Sequence, residues 1–217
     1  LWFTAMFLGW VIGGTLYFSW AAVAVFLTLS AIILCFGHSL GMHRKLIHES
    51  FACPKPLEYL LVWLGTLVGL GGPFSMMYTH DVRDWAQRQP QCHPFLSHQS
   101  KGLRDFWWQV HCKLDFNIEP KFHYPAAMTQ SRFYRALQSS SMAQQIPLAI
   151  FLWLLGGPGF VFWGICGRVC VSIFGHWAIG YRAHNHGPRD YHIHGAAVQG
   201  HNVPFFGLIT YGECWHN

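Results

Sequence analysis

Charge is what this sequence has least of. Only 11% of its 217 residues are Asp, Glu, Lys or Arg, against about 25% in an ordinary soluble domain. Acids are scarcest: nine, beside fifteen histidines. So few carboxylates leave little with which to cage calcium or magnesium. The formal net charge, +5 with histidine neutral, is too modest for a nucleic-acid footprint and argues against that partner. No CxxC pair occurs among Cys35, Cys53, Cys92, Cys112, Cys166, Cys170 and Cys214, and their number is odd. A zinc ribbon and a disulfide framework are therefore both disfavoured, and cysteines in the polar segments fit a reducing, cytosolic face. Neither a basic n-region nor a cleavage site of a secretory signal is visible, and there are no internal repeats.

What the chain has is apolar surface. Hydrophobic residues make up 52%, aromatics 17%, and mean hydropathy is +0.23. Three long runs carry this excess. The first, residues 1–37, is too long for one membrane span of about 20 residues. Gly13-Gly14 offers a turn between a shortened first helix and a full second one near Tyr17–Phe36. The second run, Leu57 to Met77, either spans or forms a shallow hairpin, given Gly69, Gly71, Gly72 and Pro73. The third, Ile146 to Ile179, is split by Gly156-Gly157-Pro158-Gly159. The pattern predicts an all-α polytopic membrane protein, a single domain over 1–217 with about four transmembrane helices. The start at Leu1 and the end at Asn217 suggest a fragment cut at both ends. Eight of the fourteen basic residues fall in the polar block Thr79 to Gln145, which the positive-inside rule places in the cytosol. Two spans later the tail from Tyr181 returns to that side. The expected cap is helical, cytosolic and rich in histidine. Trp107-Trp108 and other aromatics near the run ends read as an interfacial belt.

The apolar second helix gives way at once to GHSLGMHRKLIHESF, with His38, His43 and His48 at five-residue intervals. Further histidines follow at His80, His93 and His98, at His176, in the tail (His184, His186, His192, His194, His201), and at His216. Neutral imidazole is a common ligand of iron, zinc and copper, so this inventory favours a transition metal. On an α-helix five residues turn through about 500°, which sets His43 and His48 about 140° apart. Either the helix ends between them or they approach a metal from two sides. The tail histidines alternate in a Gly/Pro-containing loop and read as exposed turn residues.

These motifs resemble those of the membrane fatty acid desaturase family. HRKLIH, within GMHRKLIHESF, has the HxxxxH form of its first histidine box. HDVRDWAQRQPQCH, His80 to His93, resembles the segment with the second box, WxxxHRxHH. GECWHN, Gly212 to Asn217, resembles the start of the third, GExxHNxHH. The likeness runs from the second helix to the end, and it resembles bacterial acyl-CoA or acyl-lipid desaturases of the stearoyl-CoA desaturase type. Two departures stand out: Gln89 and Cys92 occupy places where the second box usually has histidines, and the third box lacks the two histidines expected just past Asn217.

The resemblance implies two irons, with His43, His48, His93, His176 and His216 as ligands and no catalytic residues beyond them. His38, His80, His98, Asp84, Ser172 and Glu213 are further candidates, as ligands or as partners of a ligating imidazole. It also implies an integral protein of the bacterial inner membrane with its metal site on the cytosolic face. The substrate would be a fatty acyl-CoA or acyl-lipid, dioxygen the oxidant, and a ferredoxin or cytochrome b5-like carrier the electron donor. The product would carry a cis double bond. The rival readings are a lipid hydroxylase of the same superfamily and an inactive desaturase-like lipid-binding scaffold. A haem protein would want facing histidines inside the spans, and the three apolar runs contain a single histidine, His176, near the end of the third.

Overall fold

The computed structural model describes residues 1–99, 101–117, 120–208, 210–215 and 217. All regular structure among the described residues is helical, with no strand. Two helices, Trp20–Ile47 and Met142–Asn185, are long and apolar enough to cross a membrane, and Trp2–Leu16 is a shorter apolar helix. The chain divides into two compact units, Leu1–Met77 with Tyr124–Ile173, and Tyr78–His123 with Phe174–Asn217.

In the first unit, Ser19 starts the helix Trp20–Ile32 by accepting the Ala22 N–H at 3.1 Å, as an N-cap serine does. The helix then changes pitch. Ile33–Ile47 winds in the wide i→i+5 manner that tends to mark functional sites. Its small residues let the helix Lys55–Thr66 lie close: a Cβ at Gly37 would run into the backbone of Leu64, and one at Gly41 into the carbonyl of Leu61. Such contacts are how helices pack where little water-driven force acts between them.

The run Leu57 to Met77 is broken, not a single span. One helix ends at Thr66, the chain turns through Gly69 (φ +86°) and a new helix begins at Pro73. The turn's exposed carbonyls are met by long side chains. Leu67 O accepts from Arg168 Nη1 at 2.5 Å and Gln145 Nε2 at 2.8 Å, and Gly69 O accepts from Trp2 Nε1 at 3.0 Å. Arg168 is fully buried; its remaining nitrogens reach Gly164 O (2.8 Å) and Gln145 Oε1 (2.6 Å). Irregular backbone in apolar surroundings persists only when its polar groups are satisfied in this way.

The last apolar helix also folds back. Gln145 and Arg168 are 23 residues apart yet hydrogen-bonded; a straight helix would hold them roughly 34 Å apart. The reversal falls at Gly156 and Gly157, where Gly157 takes φ 71°, ψ −160°, a conformation open almost only to glycine. Pro158 then opens the second arm, and Leu152 packs against Gly164 across the hairpin.

In the second unit, Val82, Ala86 and Leu96 form a small core with Tyr78, Cys92, Phe95, Leu114, Phe116 and Phe122. After Asn185 the tail has little regular structure. It is tied by Asn217, whose side chain accepts from the Asp190 and Tyr191 N–H groups (2.6 and 2.7 Å) and donates to Tyr191 O and Gly200 O.

Candidate metal centre

The wide winding changes the geometry expected of the first box. In an i→i+5 helix, residues five apart stand one above the other, as residues four apart do in an α-helix. The His48 N–H donates to His43 O at 3.0 Å, and their Nε2 atoms lie 3.0 Å apart. The angular separation expected from α-helical pitch is therefore absent. Two imidazole nitrogens bound at about 2.0–2.1 Å to one ion, at right angles, also stand about 3 Å apart. His43 is half-buried and His48 exposed. His38, one wide turn earlier, is half-buried on the same winding.

Between the two histidines, Lys45 anchors the winding to the neighbouring helix. Its Nζ lies 3.3 Å from Glu58 Oε2, and Lys55 Nζ donates to Glu58 Oε1 at 2.7 Å. The Tyr134 hydroxyl donates to the same carboxylate. Burial would push the Glu58 carboxyl up; the hydrogen bonds from Lys55, Tyr134 and Lys45 outweigh it and hold the group below its usual value. Burial and the bond to Glu58 push the Tyr134 phenol up. Lys55 is 67% exposed and contributes little as a surface ion pair. Lys45, 17% exposed, matters more.

The second unit holds the remaining described candidates apart from Ser172. His80 Nδ1 sits 3.7 Å from Asp81 Oδ1 and 3.8 Å from Asp84 Oδ2. Gln89 turns its amide back to donate to Trp85 O at 3.1 Å. Cys92 packs into the small core, and burial pushes its thiol up. His93 caps the turn Pro94–Ser97: its Nδ1 accepts the Phe95 N–H at 3.2 Å, and its ring meets Trp108 edge-on. A neutral imidazole that accepts at Nδ1 carries its proton on Nε2.

His98 has the opposite arrangement. It is 1% exposed in a left-handed backbone conformation (φ 53°). Its Nδ1 is 2.8 Å from Asp105 Oδ2, which also accepts Trp177 Nε1 at 2.7 Å. Asn185 Nδ2 donates to its carbonyl, and its ring stacks on His184 at 6.0 Å. Burial pushes its pKa down, against the pull of Asp105. Asp105 is the residue that sequence reasoning missed; a buried acid seven positions from a histidine leaves no motif.

Ser172 is buried and His176 exposed on the helix Arg168–Asn185. Glu213 is half-buried in the tail. His216 lies outside the described residues. In the tail, His186, His192 and His194 are exposed, whereas His184 and His201 are half-buried. The donor type and spacing of the His43–His48 pair thus fit a transition metal.

A helical protein with membrane-length apolar helices and a histidine pair at the end of one of them is the class that this architecture defines. The chain is 33% identical over 205 residues to the sn-1 stearoyl-lipid 9-desaturase of Synechocystis sp., covering 93% of this chain and 61% of that protein. It is 34% identical over 229 residues to the sn-1 stearoyl-lipid 9-desaturase of Anabaena variabilis, covering 99% and 78%. To the sn-2 palmitoyl-lipid 9-desaturase of Nostoc sp. it is 31% identical over 208 residues, covering 93% and 70%. No family model matches the chain. The chain belongs to the fatty acyl desaturase family. It spans about three fifths to four fifths of the length of these relatives.

Proposed function

We propose that this protein is a membrane-embedded fatty acyl oxidoreductase that introduces a double bond into the acyl chain of a lipid. The carrying observation is the His43–His48 pair, two ring nitrogens 3.0 Å apart at the end of a helix apolar enough to cross a membrane. The acyl-lipid class is favoured over acyl-CoA by the names of the relatives at 31–34% identity, all of them acyl-lipid desaturases.

Iron is the metal that suits this reading, and when bound it supplies the activation of dioxygen. The reaction balances as one methylene pair, one dioxygen, two protons and two electrons giving one alkene and two waters. The electrons come from a small carrier, for which the basic block Thr79 to Gln145 offers complementary charge to an acidic surface. His43 and His48 hold the ion; His176 and His216 complete the proposed set. Lys45 and Glu58 keep the wide winding seated. The spans are Trp2–Leu16, Trp20–Ile47 and the two arms of the last hairpin, with the polar block on the cytosolic side of the bacterial inner membrane. An acyl chain has no polar handle, so its position is set by the shape of apolar walls.

Expression of the full-length protein in a host lacking the product, followed by mass spectrometry of its lipids, tests the proposal. A new double bond that disappears in His43→Ala is expected. An alcohol in its place would point to the superfamily hydroxylase. Lipid binding without any product would favour the inactive scaffold, a reading that Gln89 and Cys92 support.

A further inference from the structure

The helix Leu103–His111 carries apolar side chains on two faces, and one of them is already covered. Phe106 lies between Phe174 and Trp177, with ring centroids 5.3 and 5.1 Å away. Trp177 Nε1 donates to Asp105 Oδ2 at 2.7 Å, and the Gly102 N–H donates to the Tyr181 hydroxyl at 3.1 Å. These contacts fasten the helix to the C-terminal stretch of Met142–Asn185, which is long and apolar enough to cross a membrane. The other face points away. Leu103 is 69% exposed and Trp107, one turn on, 61%; residues four apart share a helix face. The Trp107 ring is braced on His111, with centroids 3.9 Å apart. Its neighbour Trp108 is turned inward, half-buried and edge-on to Phe95 at 5.2 Å.

Charge identifies what covers the outer face. Lys101 and Arg104 are exposed beside it, and the one acid of the helix, Asp105, is fully buried. An apolar pair flanked by cations, on a helix fastened to the end of a span, matches an anionic lipid surface. Leu and Trp enter the boundary between headgroups and acyl chains, while Lys and Arg reach the phosphates. Tryptophan is enriched at this depth because its ring is apolar and its N–H is not. We infer that the outer face of Leu103–His111 docks on anionic phospholipid, with Leu103 and Trp107 inserted and Lys101 and Arg104 on the headgroups. The inference rests on the reading of this chain as membrane-embedded, and it adds to the spans a second lipid contact that depends on headgroup charge.

The test uses the full-length protein in nanodiscs of equimolar phosphatidylcholine and phosphatidylglycerol, with the exposed Cys112 changed to Ser. A bimane label is placed at Leu103→Cys, at Trp107→Cys and, as a reference, at Leu154→Cys on the apolar hairpin, where Leu154 is 79% exposed. The signal of Cys112→Ser alone is subtracted. Brominated acyl chains quench a label in lipid, and iodide quenches one in water. Bromolipid quenching at Leu103→Cys and Trp107→Cys, with protection from iodide, is expected. It should be at least about twofold stronger when phosphatidylglycerol carries the bromine, and Lys101→Gln/Arg104→Gln should abolish that preference. Iodide quenching at both positions, with bromolipid quenching only at Leu154→Cys, would overturn the inference. So would protection from both quenchers, which means that protein covers the face. Equal quenching by the two brominated lipids would overturn the anionic assignment. No bromolipid quenching at Leu154→Cys would instead remove the membrane-embedded reading. Leu103→Cys alone decides the matter if Trp107→Cys does not fold.

Discussion

His43 and His48 are joined twice, by a backbone hydrogen bond of 3.0 Å and by ring nitrogens 3.0 Å apart. The pairing depends on pitch. Deleting one residue between them, Leu46 for example, would return the pair to a spacing of four on a winding built for five. Metal binding should then fall by at least tenfold while total helix content stays nearly constant. Isothermal titration with Co(II) together with circular dichroism checks both halves of that statement.

The anchor of this winding is Glu58. Its carboxylate is held below its usual pKa by Lys55, Tyr134 and Lys45 against the effect of burial. A lowered carboxyl stabilises above its unfolded value, about 4.3, and that stabilisation is lost as pH falls through the folded value. Glu58→Gln should cost about 1–3 kcal/mol near neutral pH and flatten the acid side of the thermal stability profile. An unchanged acid limb in the variant would remove Glu58 as its source.

Arg168→Met should be more damaging. It strips three hydrogen bonds from a buried site and leaves Gln145 Oε1 and Gly164 O without this donor. Charged hydrogen bonds are worth about 1.5–3 kcal/mol each, so with partial relaxation a loss on the order of 3–5 kcal/mol is expected. Unfolding in detergent with a graded denaturant measures it. A loss below 1 kcal/mol would mean that water or another side chain serves Leu67 equally well.

His98 gives a pH prediction of the other kind. Burial keeps its ring neutral, with Asp105 on Nδ1 and Arg83 acting against protonation. The unfolded ring protonates below about 6.5, so the unfolded state gains protons first and stability falls as pH drops below that value. Hydrogen-exchange protection in the helix Leu103–His111, corrected for the slowing of intrinsic exchange in acid, should fall between about pH 6.5 and 5, and His98→Gln should remove that fall.

Much of the architecture was legible in glycines, which reach backbone conformations closed to other residues, and in prolines, which interrupt a helix. Gly156-Gly157-Pro158-Gly159 announced a break, and Gly157 at φ 71° realises it. Gly69 to Pro73 likewise marked the interrupted second run. The first box was legible as a motif but not as a geometry, because the spacing was read at α-helical pitch. The five-residue repeat of His38, His43 and His48 was itself the available sign of a wider helix. The second box is harder to read for a different reason: a histidine followed by proline can cap a turn, as His93 does through the Phe95 N–H, and no local pattern announces it. Long-range partners such as Asp105 with His98, or Arg168 with Leu67, leave no local pattern.

The bond from Arg168 to Leu67 crosses 101 residues of sequence, and this has a consequence for biosynthesis. A ribosome delivers the turn at Leu67 long before the arginine that satisfies it. Until the final hairpin arrives, the helix Lys55–Thr66 has an unsatisfied end in apolar surroundings, and the histidine winding packed on it lacks a settled neighbour. The order of emergence therefore makes the last apolar hairpin the closing piece of the first histidine box. A nascent chain released before residue 168 would carry every first-box histidine and still lack the support that holds them in place.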